Sequence, residues 1–167
     1  MRRKTFWIAA FLFVLIFVGL DADAGGPKPP SFELFSLDGK TFTEKELIGK
    51  TTLVVFWASW CDVCQQELPK VHDLREKLKG KPFQVIAIGF RDTEENIRGY
   101  VKSHSTLFNF PVLYDAGDRV ATRFGAHVTP TLFLLNKKGE LVVPYRGGGL
   151  LENPRFHEVL QESLKEA

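Results

Sequence analysis

FWASWCDVC, residues 56–64, contains both cysteines of this 167-residue chain, Cys61 and Cys64. The stretch Thr51–Trp57 is a continuous run of β-branched, aliphatic and aromatic residues, which predicts a strand buried on both faces. From residue 61 to residue 78 the apolar residues recur at helical spacing, which predicts a helix that begins at the first cysteine. The two cysteines are therefore expected where a buried strand ends and a helix begins.

Several kinds of site use a Cys-x-x-Cys pair. Covalent haem attachment requires a histidine at the next position, where this chain has Gln65. A structural zinc ion requires four ligands, and the chain offers no second cysteine pair, only the histidines His72, His104, His127 and His157. A purely structural disulfide across this spacing closes a very small loop, so it would add little stability to a domain with a full core.

The pattern favours a redox-active dithiol. The free N–H groups and the dipole at a helix N-terminus stabilise a thiolate at Cys61, and the thiolate is the attacking form in disulfide exchange. Cys64 follows one turn later on the same face of the helix. We therefore expect Cys61 to be the nucleophile and Cys64 to be the resolving thiol, which attacks the mixed disulfide and releases the product.

Outside this stretch, strand and helix patterns alternate. The predicted elements are a hairpin of residues 31–36 and 40–43, a second buried strand at 83–89, helices at 93–103, 120–124 and 154–165, and a late hairpin of residues 131–136 and 140–146. A strand–helix–strand start requires a parallel pair joined by a right-handed crossover, whereas the late hairpin adds antiparallel strands. The sequence therefore predicts an α/β sandwich with a central mixed sheet and an added N-terminal β-hairpin.

Residues 1–24 have the pattern of an export signal. Basic residues at positions 2–4 precede an unbroken apolar run of 15 residues at 6–20, and an Ala-x-Ala sequence ends at Ala24. This is the pattern of a cleaved secretory signal; the alternative is an uncleaved anchor whose basic end stays inside the cell. Both predict an exported domain, in the periplasm or on the outer face of the cytoplasmic membrane, where disulfides persist.

The rest of the chain is expected to be one linker and one domain. Residues 25–30 read GGPKPP, and proline and glycine at this density predict a linker without regular structure. Residues 31–167 are long enough for one domain with its own core. A formal net charge of +2 leaves no basic surface of the kind that binds nucleic acid.

Residues 56–64 resemble the active-site motif of thioredoxin-like proteins. The stretch VTPTLF at 128–133 is a second mark of that superfamily. The resemblance implies a thioredoxin-like three-layer sandwich in which the bond before Pro130 is cis and faces the dithiol. It also implies that the backbone of Thr129 pairs with a substrate strand, and that Trp60 shields the dithiol or forms part of the docking surface.

Within that superfamily the chain looks most like the exported TlpA/ResA group, from about Pro30 to its C-terminus. Thioredoxin has a buried aspartate six residues before its first cysteine, where this chain has Val55. The ResA pattern instead has a glutamate three residues after the second cysteine, here Glu67, which the resemblance assigns to proton exchange with a thiol. The chain departs from the pattern at Val63, where a proline is usual. Residues between the cysteines tune the reduction potential, so the sequence does not separate a reductase from an oxidase, although Asp62 beside the first cysteine favours a reductant.

The resemblance implies an exported thiol-disulfide oxidoreductase that acts as a reductase without a metal or organic cofactor. It would be a monomer that takes electrons from a membrane donor and reduces disulfides of exported proteins, with apocytochrome c in cytochrome c maturation as one candidate. One alternative is a peroxiredoxin-type peroxidase, whose motif expects proline and threonine where this chain has Val54 and Ala58. Another is a non-catalytic Cu(I)-binding chaperone, because two thiolates suit Cu(I).

Overall fold

A computed structural model describes residues 26–165. The predicted export signal or anchor at residues 1–24 lies outside the described residues, so its cleavage or retention stays a prediction. Across the described part of the chain, no helix combines the length and the hydropathy that crossing a bilayer requires.

The described chain forms seven strands and four α-helices. The strands are β1 (Glu33–Phe35), β2 (Thr41–Thr43), β3 (Thr51–Trp57), β4 (Phe83–Gly89), β5 (Val112–Tyr114), β6 (Thr131–Leu135) and β7 (Leu141–Arg146). The helices are α1 (Asp62–Lys77), α2 (Glu94–Ser103), α3 (Arg119–Phe124) and α4 (Pro154–Lys165). Five strands make one sheet in the order β5-β4-β3-β6-β7, and β1 and β2 form a separate antiparallel hairpin.

Strand β3 is the centre of the sheet. It runs parallel to β4 and antiparallel to β6, and every one of its residues is buried. A strand covered on both faces needs apolar residues at successive positions, which explains why its sequence does not alternate. Because both neighbours hydrogen-bond to β3, the end of this strand gives a fixed platform for the cysteine helix that follows.

Each face of the sheet buries its own apolar cluster. On one face Trp57 packs with residues of α1, α2 and α4, among them Val71 and Phe156. On the other face Phe56 packs with the hairpin and with α3, through residues such as Leu34 and Val120. The side chains of successive β3 residues point to opposite faces of the sheet, as in any β-strand. The predicted three-layer sandwich with a mixed sheet and an added hairpin is confirmed.

One strand of the sheet is absent from the sequence prediction. Strand β5 has three residues and pairs in parallel with β4 at the edge of the sheet. A run this short carries no measurable periodicity. Its position depends on contacts that are distant in the sequence, such as the hydrogen bond from Leu37 N to Val112 O (2.8 Å).

The stretch predicted as a linker contains no helix or strand within residues 26–30. It nevertheless lies against the domain, because Leu141 N donates a hydrogen bond to Pro27 O (2.9 Å). A Cβ atom on Gly26 would lie 1.9 Å from the carbonyl oxygen of Leu141, so only glycine permits this close approach. The chain therefore enters the domain beside β7.

Candidate active site

The two cysteines lie at the start of α1. Cys61 is the N-cap residue, and its Sγ accepts a hydrogen bond from the backbone N–H of Cys64 (3.1 Å). The two residues are joined by a disulfide, with their Cα atoms 5.2 Å apart. Cys61 is 6% exposed and Cys64 is 1% exposed. Cys61 is therefore the more exposed of the two residues, at the helix end where a thiolate is stabilised.

The segment before β6 reaches the same end of the sheet. The Thr129–Pro130 peptide bond is cis, as the resemblance implies. Phe56 pairs with Thr131 across β3 and β6, and continuing this antiparallel register places residues 129 and 130 beside the end of β3. Gly147 N donates a hydrogen bond to Pro130 O (2.8 Å), which fixes the segment on its other side. Pro130 is buried and Thr129 is half-buried.

Exposed apolar side chains belong to both of these segments. Trp60, directly before the first cysteine, is 58% exposed, and its indole N–H donates to Arg91 O (2.9 Å). Val63 between the cysteines and Val128 before the cis bond are also exposed. Large exposed apolar groups at a concave or reactive site are typical of binding surfaces, so these three residues are candidates for contact with a substrate.

Glu67 is a buried carboxylate one turn after the second cysteine. It is 4% exposed, and its Oε1 accepts a hydrogen bond from Lys70 Nζ (2.8 Å). Among the described residues its Oε2 has no hydrogen-bond partner. A buried acceptor without a donor is costly, so this oxygen remains available to a hydrogen-bond donor. Residues one turn apart on a helix have Cβ atoms about 5–6 Å apart, so Glu67 lies within reach of the Cys64 region.

The segment after β7 covers this carboxylate. A Cβ atom on Gly148 would lie 2.9 Å from Val63 Cγ1 and 3.1 Å from Glu67 Oε1, so the glycine backbone packs directly on α1. Further along the segment, Glu152 pairs with Lys70. The hydrogen bonds to Glu152 and to Glu67 raise the pKa of Lys70 above its ordinary value, which keeps this amine charged beside the buried carboxylate.

The bend between β4 and α2 holds the other side of the site. Asp92 Oδ2 accepts hydrogen bonds from the backbone N–H (2.8 Å) and the hydroxyl (2.6 Å) of Ser59. Its Oδ1 accepts from Asn96 Nδ2 (2.9 Å) and from Thr93 N (2.8 Å). Burial opposes the charge on Asp92, but the hydrogen bonds from Ser59 and Asn96 outweigh it, so the pKa of this carboxyl lies below its ordinary value.

We expect Asp92 to stabilise the fold at neutral pH and not in strong acid. Because its folded pKa is lowered, its contribution is complete above the ordinary aspartate pKa of about 3.9 and disappears as the pH falls through the folded value. Asp92→Asn should lower the free energy of unfolding by about 1–2 kcal/mol at neutral pH, since partial exposure weakens hydrogen bonds to a charge. Urea unfolding across pH measures the difference, with Glu95→Gln in the first turn of the following helix α2 as control. A difference that does not shrink in acid would contradict this prediction.

The sequence identified only some of the residues at this site. It placed Cys61, Cys64 and Glu67 on one helix, where the structure brings them together. It gave no role to Arg91, Gly148 or the pair of Lys70 with Glu152. A glycine run after a strand is a sign of close backbone approach, and Lys70 lies at helical spacing from Glu67; for Arg91 the sequence contains no comparable signal.

Two observations concern the residues that other site types would use. Within residues 26–165, no group of three or more His, Cys, Asp or Glu side chains is arranged to hold a metal ion. Val54 and Ala58, at the positions where the peroxidase motif expects proline and threonine, are buried apolar residues of the core.

Comparison with known proteins identifies relatives along most of the chain. A family model described as the AhpC/TSA family matches residues 26–143. A thiol-disulfide oxidoreductase ResA of Bacillus thuringiensis is 31% identical over 140 residues, which is 84% of this chain and 76% of the relative.

Solved structures are also similar to this chain over most of its length. An exposed lipoprotein thioredoxin of Streptococcus pneumoniae is similar with a TM-score of 0.66 and 27% identity, over 80% of this chain and 98% of that one. A thiol:disulfide interchange protein of the thioredoxin family from Chlorobium tepidum has a TM-score of 0.69 at 23% identity, over 84% of this chain and 97% of that one. At 23% identity, the similarity to the Chlorobium tepidum protein shows a shared fold only.

Proposed function

We propose that this chain, which belongs to the AhpC/TSA family and is a thiol-disulfide oxidoreductase of the ResA type, works as a reductase of disulfides in exported proteins. The observation that carries the proposal is the position of the cysteine pair. Cys61 caps the helix and Cys64 lies beneath it, joined in a disulfide. A pair in this arrangement can pass between dithiol and disulfide by thiolate exchange.

Reduction of a substrate begins at Cys61. Its thiolate attacks one sulfur of the substrate disulfide, that S–S bond breaks, and the other substrate sulfur leaves as a thiolate that takes up a proton. The product is a mixed disulfide between Cys61 and the substrate. Cys64 then attacks the Cys61 sulfur, the mixed disulfide breaks, and the second substrate thiol is released. Two electrons have moved to the substrate, and the protein holds its own disulfide.

Glu67 serves the second step in this proposal. Cys64 must lose its proton as it attacks, yet it is almost completely buried, where desolvation disfavours a thiolate. The partnerless Oε2 of Glu67 is an acceptor for that proton, one helical turn away. Lys70 holds the other carboxylate oxygen, so the group is oriented before the reaction begins.

Trp60, Thr129 and Pro130 form the substrate-binding surface in this proposal. Thr129 offers its backbone to an extended segment of the substrate, which would pair with it in the manner of an added strand. Trp60 supplies exposed apolar area beside the reacting sulfur. Together they place a substrate disulfide over Cys61.

We further propose that the domain is exported, working in the periplasm or on the outer face of the cytoplasmic membrane. The support is the signal-like pattern of residues 1–24 and the likeness to a pneumococcal protein described as an exposed lipoprotein thioredoxin. A membrane electron donor would return the disulfide to the dithiol. The domain would act as a monomer, and apocytochrome c is one candidate substrate because its haem-binding cysteine pair must be reduced.

Trapping in cells tests this function. Cys64→Ser lacks the resolving thiol, so substrates should remain attached to Cys61 as mixed disulfides that a reductant releases. The expected partners are exported proteins with cysteine pairs. The double variant Cys61→Ser/Cys64→Ser is the control and should trap nothing. Partners that are all cytoplasmic, or equal capture by the double variant, would contradict the proposal.

A further inference from the structure

One residue connects the two segments that surround the dithiol. The carbonyl of Arg91 accepts the hydrogen bond from the Trp60 indole (2.9 Å), and its guanidinium Nη1 donates to His127 O (2.8 Å). Trp60 directly precedes Cys61, and His127 lies two residues before Thr129. The backbone of Arg91 therefore holds the entry to the cysteine helix, while its side chain holds the entry to the cis-proline segment.

The backbone at this position is unusual for an arginine. Its φ is +53°, in the left-handed region that favours glycine and that other residues rarely adopt. The conformation is held by Asp118, whose Oδ1 accepts a hydrogen bond from Arg91 N (2.7 Å). Glycine would fit this bend more easily but could not reach His127. The position therefore combines a backbone that suits glycine with a side chain that glycine lacks.

The next residue extends the same connection. Asp92 holds Ser59 through two hydrogen bonds, so the bend at 91–92 fixes both residues that precede the reactive cysteine. On the opposite side, the contact to His127 O is the one hydrogen bond from this bend to the cis-proline segment among those found in the described residues. The Arg91 side chain is thus the link between the two segments on this side of the site, in addition to the β3–β6 pairing and the Gly147 contact that hold the cis-proline segment on its other sides.

We propose that Arg91 is a positioning residue that sets the cis-proline segment relative to the dithiol for protein substrates. The inference rests on the proposed function, in which a substrate strand pairs with Thr129 while Cys61 attacks its disulfide. A protein substrate must meet both groups at once, so it depends on their relative position. A small soluble disulfide needs only Cys61.

Arg91→Gly separates the two functions of this residue. Glycine keeps the left-handed backbone and the carbonyl that holds Trp60, but it removes the guanidinium. Reduction of insulin should lose on the order of tenfold in kcat/KM, mainly through KM, as expected when one hydrogen bond from a charged group is lost. Reduction of hydroxyethyl disulfide should stay within about twofold of the wild type. Arg91→Lys, which can still donate to His127 O, should give an intermediate KM for insulin.

Arg98→Ala is the matched control. Its guanidinium also donates to a backbone carbonyl, that of Leu37 (2.8 Å), but on α2 and not in the segments around the dithiol, so neither substrate should be affected. Equal losses for insulin and hydroxyethyl disulfide in Arg91→Gly would overturn the proposal, because they would show a general effect on the dithiol. An unchanged KM for insulin would overturn it as well. A wild-type protein that reduces hydroxyethyl disulfide but not insulin would instead overturn the proposed function, and this inference with it.

Discussion

Cys61→Ser should reduce the rate of insulin-disulfide reduction to the background given by the assay's own reductant. A serine hydroxyl cannot form a mixed disulfide, so the first bond exchange has no protein partner. Cys64 cannot take over the attack, because it lies in the first turn of α1 and is only 1% exposed. Turbidity of precipitating insulin chains measures the rate.

The matched variant Cys64→Ser distinguishes the roles of the two thiols. It keeps the accessible sulfur, so it should still attack insulin once and then remain as a mixed disulfide that only excess reductant releases. Its steady-state rate should be low, but its single-turnover attack should be close to that of the wild type. Full insulin reduction by Cys61→Ser would show that the accessible cysteine is not the nucleophile.

Glu67→Gln should give the second largest effect, a slower resolving step. Glutamine keeps the size of the side chain and can accept the hydrogen bond from Lys70, but it cannot take the proton from Cys64. Loss of a general base typically costs about 10²–10⁴-fold, and access of water to the site would place the effect near the lower end. The rate of this step alone is measured by preparing the mixed disulfide and quenching samples rapidly at successive times to determine how much substrate has been released.

The same variant should have an opposite effect on thiol ionisation. Removing a negative charge from the neighbourhood of Cys64 favours the thiolate, so the midpoint of alkylation should move to lower pH. Glu152→Gln is the control, because Glu152 shares the partner Lys70 but is about half exposed at its side chain. It should leave both measurements nearly unchanged. Unchanged release and unchanged alkylation in Glu67→Gln would show that the buried carboxylate has no part in the exchange.

The sequence predicted the parts of this fold that depend on local pattern. Strand β3 and helix α1 were predicted within a residue of their bounds, because one is apolar throughout and the other has a clear apolar stripe. The burial of Glu67 follows from the same stripe, since residues 64, 67, 68 and 71 fall on one face of α1 and are all buried. A carboxylate on an apolar face was therefore a signal that the sequence already contained.

The remaining features depend on contacts between distant residues. Strand β5 is too short to show a period, and its position is fixed by pairing with β4. The packing of Gly148 on α1 and the contact of Arg91 with His127 join segments that only the folded chain brings together. No local sequence pattern predicts such contacts, because these residue types occur throughout the chain. Only the folded structure shows which of them are in contact.

The transfer of two electrons from the Cys61–Cys64 dithiol to a protein disulfide is tested most directly in a single turnover. Reduced protein is mixed with an equimolar amount of insulin, and the thiols of both proteins are counted. The mass of the peptide that contains Cys61 and Cys64 is determined by mass spectrometry. The protein should lose both thiols and the mass of two hydrogen atoms, and insulin should gain two thiols. Reduced insulin beside a protein that keeps both thiols would contradict this mechanism.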